Sequence, residues 1–287
     1  MNRVGKMINI SWAKKRGYSG RGVCVAVIDT GMFLHRDFEP SRIVDFKDMV
    51  NGRKAMYDDC GHGTHVCGII GGSGISSGRK YEGIAPGVTF LPVKALDRNG
   101  NGRQRDVVRA IDWIIQNVNK YNIRIANISI GTTLNCKNSD NYVLVDKVEQ
   151  LWDAGVVVCA AAGNNGPGKM TVSMPGVSKK IITVGFISNG QTYSGQGPTK
   201  KCIIKPEIIA PGENVVSCKN ARNGYITKSG TSMATPVVTG AIALLLEKYP
   251  QMTNKDVKKR LYERAKDMGY PKNIQGWGYL DIERLLC

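Results

Sequence analysis

No stretch of this 287-residue sequence approaches the roughly 20 consecutive apolar residues that a membrane-spanning helix requires. Apolar runs such as 242–246 are far too short, so no membrane partner is expected. A composition break is also missing. Without a Pro-, Ser- or Gln-rich linker the chain reads as one domain, residues 17–287, preceded by an N-terminal extension, residues 1–16. That extension has basic residues but neither the apolar core nor the small-residue cleavage site of a secretory leader. With Met1 as the natural start, a cytoplasmic location is expected. Histidine is scarce: His35, His62 and His65 are the whole supply, so any chemistry that needs an imidazole must draw on them. Acids are the minority charge, 23 Asp plus Glu against 40 Lys plus Arg, for a net charge of +17. Such a surplus reads first as a solvated, solubilising surface, and it leaves open an acidic peptide or protein as substrate. The cations are scattered, as at Lys14, Lys15, Lys200, Lys201, Lys258 and Lys259, and no nucleic-acid motif gathers them. A specific nucleic-acid partner is therefore not expected.

The eight cysteines stand at positions 24, 60, 67, 136, 159, 202, 218 and 287, widely and irregularly spaced. Cys24 and Cys159 lie inside apolar runs, which fits buried thiols in a reducing compartment better than a disulfide framework. One stretch, Cys60-Gly61-His62-Gly63-Thr64-His65-Val66-Cys67, offers four zinc-type ligands within eight residues. Its glycines and helical spacing place the four side chains poorly for one ion, and no metal is expected there.

Gly230-Thr231-Ser232-Met233-Ala234-Thr235-Pro236 leads into an apolar run in which Val238, Ala241, Ile242 and Leu245 recur at helical spacing. Because proline is tolerated near a helix start, Pro236 confines that start to about Ser232. A hydroxyl then stands where backbone amides and the positive end of the helix dipole converge. Read alone, this is a helix cap as readily as a nucleophile. A nucleophilic serine needs a base and an orienting acid. His62 offers the first, and Asp29 the second. Asp29 closes the run Val23-Cys24-Val25-Ala26-Val27-Ile28, which reads as a buried parallel strand with its carboxylate at the carboxyl edge of a sheet.

Val27-Ile28-Asp29-Thr30-Gly31, His62-Gly63-Thr64-His65-Val66, Ala160-Ala161-Ala162-Gly163-Asn164 and the heptapeptide around Ser232 together resemble the four signature blocks of the subtilisin-like serine peptidases, in that family's chain order. The likeness runs from about Gly17 to Asp281 and is closest to an intracellular branch without a long propeptide. It implies a doubly wound, three-layer α/β domain with a mainly parallel central sheet, and a serine endopeptidase. By the same likeness Ser232 is the nucleophile, His62 the general base, Asp29 its orienting acid and Asn164 an oxyanion donor. Gly100 and Gly102 on one side, and Ser129, Ile130 and Gly131 on the other, would hold the peptide as an extended strand. Pro175 matches a position often cis in relatives. No cofactor is required by this chemistry.

The resemblance also implies a structural calcium ligand at Asp37. Its partner loop, residues 72–80, lacks the oxygen-rich pattern such an ion needs and carries Arg79 and Lys80, so calcium is not expected there. Residues 160–178 contain no Asp or Glu, which argues against a preference for Lys or Arg before the scissile bond and for an apolar or broad one. Readings outside this class are a catalytically idle peptide-binding relative and a zinc- or nucleic-acid-binding module; an esterase would share the triad chemistry. Strands over 88–96, 123–130 and 156–162, a helix over 106–118 and a helix capped by Thr253 complete the expected elements.

Overall fold

The computed structural model describes residues 2–130, 141–187 and 193–287. In chain order its elements are α1 (Asn2–Met7), α2 (Ser11–Lys15), β1 (Cys24–Asp29), β2 (Lys47–Asp48), α3 (His62–Gly71), β3 (Thr89–Lys94), α4 (Gln104–Tyr121), β4 (Ile123–Ile128), α5 (Asn141–Asp153), β5 (Val157–Ala161), β6 (Ile182–Gly185), β7 (Ile208–Ile209), β8 (Val215–Cys218), β9 (Tyr225–Lys228), α6 (Thr231–Lys248), α7 (Asn254–Arg264), α8 (Lys272–Gln275) and α9 (Ile282–Leu286).

Seven strands form one sheet in the order β2-β3-β1-β4-β5-β6-β7, with every pairing parallel. The strands β1, β4 and β5 are apolar almost throughout because both faces of the sheet are covered. Helices α3 and α6 pack together and against β1, β4, β5 and β6, while α4 and α5 pack together against β1, β4 and β5. This is the doubly wound three-layer architecture the resemblance implies. The chain leaves β1 toward β3 and later returns to β4 on the other side, so the order reverses at β1. Ligand crevices of open α/β sheets lie at such a reversal, outside the carboxyl ends of the strands. Asp29 stands at that end of β1.

Helix α6 is buried on nearly every side, from Met233 to Leu246. A helix apolar all round belongs to the middle of a core. The sequence put the helix start at about Ser232; α6 begins at Thr231, and Pro236 lies in its second turn. Proline there removes the amide that would bond to the Ser232 carbonyl, and packing on all sides holds the helix despite that loss. Residues 2–15 fold as two short helices joined by a turn, and Val4, Ile8 of the turn and Ala13 join the core; the Ile8 carbonyl accepts the Ile282 N–H of α9 at 2.8 Å. Thr253 caps α7 in a full capping box with Asp256. Among the described residues, no helix is long and apolar enough to cross a membrane.

Candidate active site

The Asp29 side chain is fully buried. Its Oδ1 accepts the Thr30 N–H at 2.7 Å and stands 2.7 Å from His62 Nδ1. An ionised carboxylate only accepts, so the proton of a neutral His62 ring sits on Nδ1 and Nε2 is left as the basic nitrogen. Burial pushes the His62 pKa down, but the Asp29 charge outweighs it and the net shift is upward. The Lys94 ammonium, itself fully buried at the end of β3, donates to the Thr30 carbonyl at 2.7 Å and to Asp59 at 2.6 Å, which pins the turn after Asp29.

His62 is the first residue of α3, and the cap residue before it, Gly61, has φ 88° and no capping side chain. Asp58 does that work from a distance. Its Oδ1 accepts the Gly61 N–H at 2.7 Å and the Thr30 hydroxyl at 2.8 Å, and its Oδ2 accepts the Thr64 N–H at 2.9 Å. Desolvation would raise the Asp58 pKa, yet these donors lower it, so the cap is ionised at neutral pH. Gly63 lets α3 reach the sheet: a Cβ there would lie 2.1 Å from the Gly31 carbonyl oxygen. His65 turns the other way, with Nε2 3.0 Å from the Ile226 carbonyl and 3.2 Å from that of Val215. Burial drives its pKa down to about 3, so it is a neutral structural group.

Ser232 is the second residue of α6, inside the first turn where backbone N–H groups have no intrahelical acceptor. Gly230 before it has φ 139°, a conformation closed to most side chains. Its α-carbon faces Asn164, whose amide nitrogen would lie 3.1 Å from a Cβ at that position. Asn164 is exposed, and its carbonyl oxygen accepts the Thr231 N–H at 3.0 Å and the Thr231 hydroxyl at 3.2 Å. Those two donors fix which end of the amide is the oxygen and leave the NH2 beside Gly230. Thr231 is thus a functional residue that the sequence did not flag.

One contact differs from expectation. The Ser232 hydroxyl donates to the Ser129 carbonyl at 3.0 Å, not to His62. Catalytic hydrogen bonds commonly tighten only when substrate is bound. Ser129 follows β4, and its side chain is held by Asn127, which in turn accepts the Thr239 hydroxyl of α6 at 2.9 Å. Ile130 is buried beside it, and Gly131 lies outside the described residues. Across the cleft, Gly102 pairs with Leu96 in an antiparallel bridge, and Gly100 has φ 78° and approaches Cys60.

The four zinc-type ligands of the His62 block do not converge: His62 meets Asp29, His65 faces the β8–β9 hairpin, and Cys67 is sealed in the core. The Asp37 carboxylate does not fit calcium either. Its oxygens accept the Ser76 N–H at 2.9 Å, the Tyr225 hydroxyl at 2.8 Å and the Cys218 thiol at 3.6 Å. Its surroundings are donors, whereas a calcium site is a shell of oxygen acceptors. Met174–Pro175 is a cis peptide bond.

A buried carboxylate, an imidazole poised on it and a serine at a helix start beside an amide, all at the reversal point of a doubly wound sheet, define a serine peptidase of the Asp-His-Ser order. The chain belongs to the subtilase family, whose model matches residues 20–278. It is 40% identical to the serine protease AprX of Bacillus subtilis over 92% of this chain and 66% of that protein. It is also 35% identical to the minor extracellular protease Epr of the same organism, over 95% of this chain and 39% of that one. The chain thus spans about two thirds of the length of the first relative and well under half of the second. Among solved structures, sphericase superposes with a TM-score of 0.80 at 29% identity, covering 92% of each chain.

Proposed function

We propose that this peptidase cleaves polypeptides internally through an acyl-enzyme formed on Ser232. His62 takes the serine proton as the hydroxyl attacks and returns it to the leaving amine; Asp29 holds the ring and balances the imidazolium. The Asn164 amide and the Ser232 backbone N–H receive the oxyanion. The substrate lies extended between Gly100 and Gly102 on one side and Ser129, Ile130 and Gly131 on the other. An apolar or broad preference at the residue before the scissile bond follows from the lack of acids in residues 160–178. Acidic peptides are the favoured class on charge grounds, and no metal or cofactor takes part. The observation carrying this reading is the 2.7 Å contact between buried Asp29 at the end of β1 and His62 at the start of α3.

Incubation with a fluorophosphonate probe, followed by peptide mapping, tests it. Labelling at Ser232 supports an activated serine; folded protein that stays unlabelled would favour an idle peptide-binding relative. Replacing Asn164 with leucine is expected to lower kcat by roughly 10²–10³, the loss found when the matching donor is removed from subtilisin itself, with little change in KM. A loss under about five-fold would remove Asn164 from the oxyanion site.

The described cysteines are all unpaired, which favours a reducing compartment over the extracellular station that Epr's name gives that protein. Intact mass after alkylation of the unfolded, unreduced protein checks this: eight modified thiols are expected, and any disulfide-linked pair would count against it.

A further inference from the structure

Strands β8 and β9 form an antiparallel hairpin that leads through Ser229 and Gly230 directly into Ser232. The hairpin is bound to α3. His65 Nε2 reaches the carbonyls of Val215 and Ile226, and the Ser217 hydroxyl donates to the His65 carbonyl at 2.8 Å. Its tip abuts the start of the same helix, where Asn220 donates to the Asp58 carbonyl at 3.2 Å and crowds Gly61. The tip also meets the loop after β1, since the Arg36 N–H bonds to the Arg222 carbonyl at 2.9 Å. The hairpin therefore forms one wall of the cleft at His62.

That wall is cationic. Lys228 closes β9, Lys219 and Arg222 stand on the hairpin tip, and Arg36 adjoins them; Lys219, Arg222 and Arg36 are exposed and Lys228 is half-buried. None of the four forms an ion pair among the described residues. The carboxylates nearby are already engaged: Asp58 caps α3, Asp59 holds Lys94, and Asp37 is enclosed by Ser76, Tyr225 and Cys218. Lys228 ends β9 four residues before Ser232, on the strand whose Ile226 carbonyl meets His65, and its charge also acts on His62, His65 and Cys60.

The reaction assigns a role to that wall. The acyl half of the substrate lies toward Ser129, where the Ser232 hydroxyl now rests, and Asn164. The leaving amine takes its proton from His62, so the half of the substrate after the scissile bond departs along the His62 side. We infer that Lys228, backed by Lys219, Arg222 and Arg36, reads the leaving half of the substrate and selects an acidic side chain at P1′, the first position after the cut, and at the residue beyond it. This rests on the peptidase reading above and names the end of the substrate that the basic surplus serves. Charged groups at the rim of a binding site act chiefly through such selection.

The test uses internally quenched peptides identical except for Asp, Ser or Lys at P1′. With wild-type protein, kcat/KM for the Asp peptide should exceed that for the Ser peptide by roughly five-fold, the scale of a half-exposed charge pair. The Lys peptide should fall below both. In Lys228→Met the Asp-to-Ser ratio should drop toward one, in Lys228→Arg it should persist, and in Lys228→Glu the order of Asp and Lys should invert. A wild-type ratio at or below one overturns the proposal, as does a ratio unchanged in a Lys228→Met protein that fluorophosphonate still labels. Cleavage of all three peptides at equal rates removes only the preference; no cleavage and no labelling removes the peptidase reading with it.

Discussion

Ser232→Ala is expected to lower kcat by roughly 10⁶ while the protein unfolds at an unchanged temperature. The kinetic figure is the one the matching substitution produces in subtilisin and is not deduced from this structure. The stability half does follow from the structure. Ser232 is only half-buried, and its hydroxyl makes one contact, to the Ser129 carbonyl. Alanine is the better helix former, and the cap of α6 does not depend on the lost oxygen because Thr231 and Asn164 bond across the helix start. Turnover of a fluorogenic peptide, measured beside thermal unfolding, separates the two effects. The residual rate should still exceed the uncatalysed one by about 10³–10⁴, because Asn164 and the substrate-binding edges remain. A variant keeping more than about one per cent of kcat would show that Ser232 is not the nucleophile.

What the sequence made legible is what depends on neighbours in the chain. Strand β1 and its closing Asp29, β5 ahead of Asn164, and the capping box of α7 are each local patterns, and each lies within a few residues of its expected bounds. The same holds for α4, expected over 106–118 and found at Gln104–Tyr121. Interactions between distant parts of the chain were not legible. Asp58 reads as a turn residue in Tyr57-Asp58-Asp59, yet it caps α3 because Thr30, Gly61 and Thr64 all turn their donors toward it. Thr231 reads as helix-start chemistry, yet its decisive bond is to Asn164, 67 residues away. The β8–β9 hairpin went unseen because each strand has only four residues and its register is set by contact with α3, not by its own alternation. Its importance for the site follows from that same contact.

The resting position of Ser232 also bears on how the site is switched on. While the hydroxyl donates to Ser129, the His62 base has no serine proton to take, so the imidazole and the nucleophile are armed by different partners. On the proposed reading, a peptide laid along the edge at Ser129 competes for that carbonyl and frees the hydroxyl to turn toward His62. The rigid part of the site is the buried Asp29 with half-buried His62 against it, braced by Lys94 and Asp58.

That division predicts how substitutions at Asp29 will behave. Asp29→Ala removes both the charge and the acceptor for His62 Nδ1, and kcat is expected to fall by roughly 10⁴, the order seen for the matching change in subtilisin. Asp29 is the main group that holds the His62 pKa up, against burial and the Lys228 charge, so its removal lets the pKa fall. The base must be neutral to act, and the acid limb of the kcat/KM profile should therefore move to lower pH even as its height collapses. Asp29→Asn adds a finer distinction. Thr30 N–H and His62 Nδ1 both address Oδ1, so an asparagine whose amide oxygen occupies that place keeps both bonds and the working tautomer, losing only the charge. Its kcat should then lie above that of the alanine variant, with the acid limb displaced in the same direction. Equal losses in the two variants would mean that the amide nitrogen faces His62 and holds the ring in the wrong tautomer, and an acid limb that does not move would show that Asp29 does not set the basicity of His62.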